Sequence, residues 1–359
     1  MQDLFIRSLR ARAVNVPLEF PVRTSVGVVD TSPLVLLDIE TNQGITGRSY
    51  VFTYTPLGLA PVRALLDSLE RLLEGQLVAP HEIEKLLQGR FRLLGNTGIV
   101  KIATAAVDMA AWDALAQHRG VPLAELLGGR VKAIPAYDSH SMDGPQIGPE
   151  RARRAVAQGL KAIKIKIGHK TLKEDVQSVA LIRETIGNDV HLMVDVNQGL
   201  SVPEAIRRGR ALEPFGLAWI EEPTLQEDYS GHALIRDALK TPVQMGENWF
   251  SVDEMHKAIV AGAADFVMPD VMKIGGVTGW LRAAALAQAH GIPMSSHIFQ
   301  EVSVHLLAVT PTRHLLERMD LAAPVLARPL VFENGTAIAP AEPGTGIAWN
   351  EKAVRQYLV

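Results

Sequence analysis

Short apolar runs that end in a polar residue recur through the second half of the chain at the spacing of one strand and one helix. The runs HLMVD, LAWIE and PVQMGE end at Asp195, Glu221 and Glu247, and the two separations are equal. A bounded apolar run of this kind is typical of a buried strand. The pattern therefore predicts repeated strand–helix units with a carboxylate at the end of each strand.

A similar spacing continues in both directions along the chain. Upstream, strands are predicted at residues 160–167 and 133–139; downstream, Asp270, His297 and Glu317 follow at comparable intervals. Helical patterns fill the gaps at residues 150–158, 172–186, 202–212, 229–239, 252–261 and 277–289. Eight strand ends predict an α/β fold, a (β/α)8 TIM barrel with its site at the carboxyl end of the strands. A doubly wound sheet is the alternative, but it does not explain a functional residue type at every strand end.

The segment 1–130 has a different pattern. Strands are predicted at residues 5–15, 34–38 and 44–50, and helices at 57–73, 83–87 and 97–118. Strands followed by helices favour an α+β capping domain, residues 1–130, packed against a barrel formed by residues 131–321. Glycines and prolines interrupt the segment 322–359, which we expect to return to the capping domain.

Composition excludes several classes of function. The chain has 359 residues, a net charge of −3 and no basic block, so neither nucleic acid nor an anionic membrane is an expected partner. No apolar run approaches the roughly 20 residues of a membrane-spanning helix. Charges within the segment 1–14 disfavour a signal peptide, so we expect a cytoplasmic protein. The absence of cysteine excludes disulfides and thiol catalysis.

Two lysines and three carboxylates carry the candidate chemistry. Lys164 and Lys166 alternate with Ile165 in one predicted strand, so both lysine side chains point to the same face. Two buried ammonium groups are costly unless anionic groups lie between them. Asp195, Glu221 and Glu247 are hard oxygen ligands that favour Mg2+, with Mn2+ as the alternative ion. The combination predicts proton abstraction next to the carboxylate of an anionic substrate.

The chain resembles the mandelate racemase branch of the enolase superfamily from end to end. The motifs that carry the resemblance are KIKIG at 164–168, DVNQ at 195–198, IEEP at 220–223, GENW at 246–249, PDVMKIGGVTGW at 269–280, SSHIFQE at 295–301, and Glu317. The resemblance implies a modified (β/α)7β barrel with a capping domain, one divalent ion per subunit and a homo-octamer. It also implies Mg2+-dependent racemisation of mandelate, a small aromatic 2-hydroxy acid.

The same resemblance implies a role for each polar residue. The three carboxylates named above become the metal ligands. Lys164 neutralises the substrate carboxylate, and a protonated Glu317 donates a hydrogen bond to it. Asn197, on the same strand face as Asp195, reaches the 2-hydroxyl group, and Ser139 contacts the carboxylate. The alternative for Asn197 and Ser139 is a structural role in which each caps a turn.

Racemisation requires two bases, one on each side of a planar intermediate. The candidates are Lys166 and His297. We expect the metal and the neighbouring Lys164 to lower the pKa of Lys166 towards neutrality. We expect Asp270 to bond the far ring nitrogen of His297, which would fix the tautomer and stabilise the imidazolium.

Apolar side chains, mainly of the first domain, are expected to close over the substrate. The candidates are Val22, Val26, Val28 and Val29 in a 20–30 loop, Val51, Phe52 and Tyr54 in the 50s, and Leu93, Ile298 and Met319. Each of them could instead be an ordinary core residue. A polyol substrate would require polar partners for its hydroxyl groups, and Arg23 and Asp30 are the obvious candidates.

Two other functions remain open. An acid-sugar dehydratase could use the same scaffold, with a β-hydroxyl group leaving instead of a proton returning. A catalytically silent barrel could act as a binding protein. The second is disfavoured because buried charged groups without a task are costly.

Overall fold

The structure is a computed structural model that describes residues 3–359, and it begins with a three-stranded antiparallel sheet. Its strands are β1 (Ile6–Arg23), β2 (Val28–Thr41) and β3 (Thr46–Phe52). The first two are longer than predicted, because they continue as a ribbon in which Val22 pairs with Val29. The predicted 20–30 loop is therefore wrong: only the turn between Arg23 and Val28 lies outside the strands.

Four helices follow the sheet: α1 (Leu59–Leu73), α2 (Pro80–Phe91), α3 (Gly98–Arg119) and α4 (Leu123–Leu126). Helix α3 is buried along most of its length and ends, as predicted, at Gly120, which has a left-handed φ of 70°. Gly47 of β3 allows the sheet to approach α3, since a Cβ there would lie 2.1 Å from the Ala110 carbonyl oxygen. The predicted helix at residues 83–87 is longer than expected.

Eight strand positions form a closed barrel. The regular strands are β4 (Ala133–Ser139), β5 (Ala162–Lys166), β6 (His191–Asp195), β7 (Leu217–Glu221), β8 (Val243–Met245), β9 (Phe266–Val267) and β10 (Leu316–Arg318). Bridges from Met294 to Val267 and to Arg313 fill the remaining position. β10 pairs in parallel with β4 and closes the ring. Closure excludes the doubly wound alternative and confirms the predicted barrel.

Helices connect these positions: α5 (Gly144–Ala157), α6 (Leu172–Ile186), α7 (Val202–Leu212), α8 (Tyr229–Ala238), α9 (Val252–Val260), α10 (Val271–Ile274), α11 (Gly276–Ala289) and α12 (Gln300–Val309). The short α10 directly precedes α11, so the two lie in one connection. In the described chain no regular helix of the barrel follows β10, and the barrel has the (β/α)7β form. Between residues 3 and 359, no helix has the length and apolar character needed to cross a bilayer.

The segment 322–359 crosses both units. A hairpin of β11 (Phe332–Glu333) and β12 (Thr336–Ile338) pairs with the start of β4. Further on, the Trp349 indole donates to Asp38 of β2 over 2.7 Å, and α13 (Glu351–Tyr357) packs on β1. We retain as proposals the division into residues 1–130, 131–321 and 322–359, and the octamer.

Asp113 of α3 holds the returning segment to the first domain. Its carboxylate accepts hydrogen bonds from the Thr345 backbone (2.6 Å), the Thr345 hydroxyl (2.8 Å), the Arg48 backbone (2.8 Å) and the Gln117 amide (2.7 Å). Replacing Asp113 with Ala would leave buried donors unpaired, so we expect a loss of about 3 kcal/mol in the free energy of unfolding. Chemical denaturation measures this loss.

Asp67→Ala is the matched control, because Asp67 forms an exposed pair with Arg63 at 3.6 Å. We expect its cost to stay below about 0.5 kcal/mol. Equal effects of the two substitutions would contradict the role given to Asp113.

Candidate active site

The two lysines of β5 point into the barrel and lie between carboxylates. Lys164 and Lys166 are buried, with relative exposures of 1% and 7%. The Lys164 Nζ lies 2.5 Å from Glu221 Oε1 and 3.0 Å from Glu317 Oε1. The Lys166 Nζ lies 2.5 Å from Asp195 Oδ2. Both ammonium groups therefore have the anionic partners that their burial requires.

The acidic triad, Asp195, Glu221 and Glu247, lies at the ends of three successive strands. One ligand atom from each residue lies within 4.8 Å of the others, and all three residues are buried. Parallel pairing of β6 and β7 sets Asp195 opposite Glu221. Glu247 follows Gly246, whose φ of 136° L side chains rarely adopt. Three convergent hard oxygen ligands are the donor set that Mg2+ prefers.

Carboxyl groups outnumber amino groups in the barrel mouth. Six buried carboxyl groups lie there with three buried amino groups and the imidazole of His297: Asp195, Glu221, Glu222, Glu247, Asp270 and Glu317 with Lys164, Lys166 and Lys273. Burial, together with the neighbouring Asp195, Glu317 and Glu247, raises the pKa of Glu221 to about 7 despite the nearby Lys164. A divalent cation would relieve this excess, so the residues present fit Mg2+.

The pKa values of both lysines are raised. Burial lowers the pKa of Lys164, but Glu221 and Glu317 raise it more. Burial also lowers the pKa of Lys166, and so does Lys164, but Asp195 and Glu247 outweigh them. The expected lowering for Lys166 is therefore wrong for the metal-free protein, because a carboxylate in direct contact dominates its surroundings.

The surroundings of Glu317 favour its ionised form in the metal-free protein. Burial raises its pKa, but Lys164, His297 and the backbone N–H of Ile298 bring it down to about 2. The contacts are short: 3.0 Å to the Lys164 Nζ and 2.9 Å to the Ile298 nitrogen. The protonated Glu317 expected to donate to a bound substrate is therefore disfavoured in the metal-free protein without substrate, and its role with substrate stays a prediction.

His297 and Asp270 form the predicted pair. The His297 Nδ1 lies 2.7 Å from Asp270 Oδ2, and the Nε2 lies 3.3 Å from Glu247 Oε2. The other Asp270 oxygen accepts from the Met272 and Lys273 backbones at the start of α10, so this carboxylate is fixed. Burial lowers the pKa of His297, but Glu247 and Asp270 raise it overall. The imidazole is therefore oriented with its Nε2 towards the triad.

A strained turn after His297 was not predicted from the sequence. Ile298 and Phe299 have left-handed φ values of 34° and 47°, although neither is glycine. Such conformations cost of order 1–3 kcal/mol each and persist only where surrounding contacts enforce them. Here the Ile298 N–H donates to Glu317 and the Ile298 carbonyl accepts from Ser303 at 3.0 Å. No glycine marked this turn.

A supporting chain of polar groups lies beside the triad. The Asn248 amide donates to both Glu222 oxygens, at 2.8 and 2.9 Å. The Lys273 Nζ donates to the side-chain oxygen Oδ1 of Asn248 at 2.6 Å. Burial, Glu247 and Asp195 raise the pKa of Glu222 well above its usual value. Its three residues, Glu222, Asn248 and Lys273, lie in the IEEP, GENW and PDVMKIGGVTGW motifs of the sequence.

Asn197 and Ser139 each present a buried polar atom that lacks a hydrogen-bond partner within residues 3–359: the Asn197 Oδ1 and the Ser139 Oγ. The Asn197 backbone donates to Asp195 Oδ1 at 2.7 Å, and its φ is 48°. Ser139 lies in register with Lys164 on the neighbouring strand. Neither side chain caps a turn, so both are available to a ligand.

The predicted apolar wall is only partly assembled. Phe52 and Tyr54 are ring neighbours at 4.6 Å, and Lys273 lies over the Tyr54 ring at 4.4 Å. Ile298 is buried, and Val22 and Met319 line a cavity of about 480 Å³ together with Ser139; Val29 pairs with Val22. Val51 is fully buried in the core, whereas Val26 and Val28 are exposed.

Leu93, predicted to complete this wall, is not brought to the site. Its side chain is fully exposed beyond the end of α2, with a relative exposure of 101%. Helix α2 ends at Phe91, and the chain then turns into solvent. Arg23 and Asp30, the candidates for binding a polyol, are exposed.

The β1–β2 ribbon is seated on the barrel mouth. The Ser25 hydroxyl donates to the Val196 carbonyl over 2.6 Å, and the Arg23 carbonyl accepts from the Met142 backbone over 3.0 Å. A Cβ at Gly168 would lie 2.7 Å from the Ser25 Cβ, and one at Gly199 would lie 2.4 Å from its Oγ. Two glycines at the ends of neighbouring strands therefore make room for the tip of the ribbon.

Two family models match the chain. The first, described as "Enolase C-terminal domain-like", covers residues 149–353. The second, described as "Mandelate racemase / muconate lactonizing enzyme, N-terminal domain", covers residues 6–128. Together they span both units of the fold.

Individual relatives differ in their reactions. A 3,6-anhydro-alpha-L-galactonate cycloisomerase of Streptomyces coelicolor is 35% identical, with 95% of this chain and 96% of the relative covered. An L-talarate/galactarate dehydratase of Salmonella typhimurium is 30% identical, with 90% and 82% covered. A Bradyrhizobium enolase solved with magnesium and mandelic acid is 46% identical, with a TM-score of 0.96 and 100% and 99% of the chains covered.

The close contact between Ser25 and Gly199 predicts that one methyl group added at Gly199 weakens substrate binding. Gly199→Ala would force the Ser25 hydroxyl away from the Val196 carbonyl, so we expect KM to rise at least about fivefold with a smaller change in kcat. The double change Gly199→Ala/Ser25→Gly removes the clash and should recover part of the loss. Steady-state kinetics with the proposed substrate measures KM and kcat for the single and the double variant.

Gly89→Ala is the matched control, because a Cβ at Gly89 has no neighbour within 4 Å in the described chain. It should leave KM unchanged. If Gly199→Ala leaves KM unchanged, as Gly89→Ala should, the position of the ribbon does not depend on the space at Gly199.

Proposed function

Since the chain belongs to the mandelate racemase/muconate lactonizing enzyme family of the enolase superfamily, we propose that it is a Mg2+-dependent racemase of an aromatic 2-hydroxy acid, with mandelate as the reference substrate. The family membership supports an enzyme that acts on a small organic acid. The choice of racemisation and of mandelate is our proposal.

The observation that carries this proposal is the placement of two different bases at one acidic triad. Lys166 contacts the triad through Asp195 at 2.5 Å, and His297 contacts it through Glu247 at 3.3 Å. The bases belong to separate strand positions, and each has its own charged neighbour. A planar intermediate held between them can lose a proton to one base and gain a proton from the other.

The predicted Mg2+ cofactor is confirmed by the buried acidic triad together with the solved relatives that hold magnesium. When bound, Mg2+ supplies Lewis-acid stabilisation of the negative charge that develops on the substrate. Asp195, Glu221 and Glu247 are the residues that would hold it.

The remaining residues bind and orient the substrate. We assign neutralisation of the substrate carboxylate to Lys164 and a contact with that carboxylate to the Ser139 hydroxyl. We assign acceptance of a hydrogen bond from the 2-hydroxyl group to the Asn197 Oδ1; this atom and the Ser139 Oγ lack partners in the described structure. A substrate carboxylate beside Lys164 adds negative charge next to Glu317. That charge raises the pKa of Glu317 and allows it to donate a hydrogen bond.

The character of the wall supports an aromatic side chain on the substrate. Phe52 packs on Tyr54, Lys273 lies over the Tyr54 ring, and Ile298 follows His297 directly. Arg23 and Asp30, by contrast, are exposed to solvent. The Bradyrhizobium relative with mandelic acid adds support.

An acid-sugar dehydratase is the second candidate. It is favoured by the dehydratase and cycloisomerase relatives at 30% and 35% identity. A silent binding protein is disfavoured, because the buried charges of the barrel mouth would then be maintained without use.

Polarimetry with purified protein, Mg2+ and either enantiomer of mandelate tests the proposal. We expect rotation to decay to zero, chelation to abolish the decay and added Mg2+ to restore it. Glu247→Gln should weaken Mg2+ binding at least about a hundredfold, since it removes a charged ligand. Efficient dehydration of galactarate or another sugar acid without action on mandelate would favour the second candidate.

The two-base arrangement predicts that loss of one base abolishes racemisation but leaves proton exchange on the face of the other base. His297→Asn should reduce racemisation at least about a thousandfold, because one face of the intermediate loses its base. The Lys166 face should still exchange the α-proton of one enantiomer with D2O, as followed by NMR. Lys166→Met should give the opposite selectivity, and Asp270→Asn should resemble His297→Asn.

His256→Asn is the matched control, because His256 is exposed on α9. It should leave racemisation and exchange intact. Loss of exchange from both enantiomers in a folded, metal-binding His297→Asn would instead indicate a single base.

A further inference from the structure

The cavity of about 480 Å³ beside the catalytic residues contains a polar position that the reaction does not use. Its wall includes Ser139, Gln300, Met319 and Val22. Gln300 and Met319 lie shortly after His297 and Glu317 in the chain. The volume lies within the range of about 300–1,000 Å³ that is typical of small-molecule sites.

Gln300 presents an unpaired acceptor in this wall. The residue is buried, with a relative exposure of 4%, and its Oε1 has no hydrogen-bond partner among residues 3–359. A buried carbonyl oxygen without a partner is costly and is usually satisfied by water or by a ligand. The apolar Val22 and Met319 lie in the same wall.

A chain of hydrogen bonds sets the orientation of the Gln300 amide. Its Nε2 donates to Glu301 Oε1 at 3.3 Å, and Glu301 Oε2 accepts from the Tyr50 hydroxyl at 2.5 Å. A reversed amide would bring two acceptor oxygens together. Tyr50 belongs to β3 of the first domain, and its ring packs on Phe299 at 5.2 Å. The contact between the two units therefore leaves the oxygen of Gln300 as the unpaired atom.

The arginines of the wall already have partners. Arg151 donates to Asp143 at 2.6 Å, Arg318 donates to Gln158 at 2.6 Å, and Arg154 lies 3.5 Å from Glu19. These contacts make the arginines less available to an anion. The apolar Val22 and Met319, in the same wall as the unpaired oxygen of Gln300, favour an apolar ring that carries a hydrogen-bond donor.

We infer that Gln300 is a specificity residue, whose Oε1 accepts a hydrogen bond from a hydroxyl group on the aromatic ring of the substrate. This inference rests on the proposed function. It narrows the substrate class to ring-hydroxylated aryl 2-hydroxy acids.

The test compares 3- and 4-hydroxymandelate with the corresponding methoxymandelates, which occupy similar space but lack the donor. For the wild type, kcat/KM should favour the better hydroxy isomer over its methoxy partner at least about fivefold. Gln300→Leu should bring this ratio close to one. Gln158→Leu is the matched control at the exposed rim and should keep the wild-type ratio.

Binding separates this inference from the proposed function. Calorimetry of the Mg2+-loaded protein with 3- and 4-hydroxyphenylacetate and their methoxy analogues needs no turnover, and it should show the same preference and its loss in Gln300→Leu. Failure to racemise mandelate, with this binding preference intact, would reject only the proposed function. A wild-type ratio near one in both measurements, or a ratio that survives Gln300→Leu, would overturn the role of Gln300.

Discussion

Buried negative charge in the barrel mouth is the constraint on which the rest of the structure depends. Like charges at this density repel strongly in a low-dielectric interior, so each carboxylate requires a donor or a cation. The lysines of β5, the backbone at the start of α10 and the amide of Asn248 meet part of this need. The remainder explains the fit to a divalent cation.

The barrel provides the reactive groups, but the first domain provides the enclosure. Ser25 reaches the ends of β5 and β6, and Tyr50 reaches the turn after His297. Water is kept from the reacting groups only if these contacts hold, because the strand ends themselves are open. The interface between the two units is therefore part of the site, and residues far from the metal triad influence which side chain a substrate can carry.

Much of this arrangement follows from the sequence, because strand–helix spacing fixes which residues meet at the carboxyl end of a parallel barrel. Helices at 172–186 and 202–212 begin and end as predicted. Spacing carries no information on distances, so the raised pKa of Lys166 and the lowered pKa of Glu317 in the metal-free protein could not be predicted. The strained turn at Ile298 and Phe299 contains no glycine, so the sequence does not indicate it. The exposure of Leu93 depends on where α2 ends.

The course of the segment 322–359 has a consequence for how the protein is made. Thr345 satisfies Asp113, Trp349 satisfies Asp38, and Leu358 bridges to Val14 in the first sheet. The domain synthesised first therefore lacks these polar partners until that segment leaves the ribosome. Vectorial folding, in which an amino-terminal domain matures while the rest is translated, would therefore leave these contacts of the capping domain unformed until the end of synthesis.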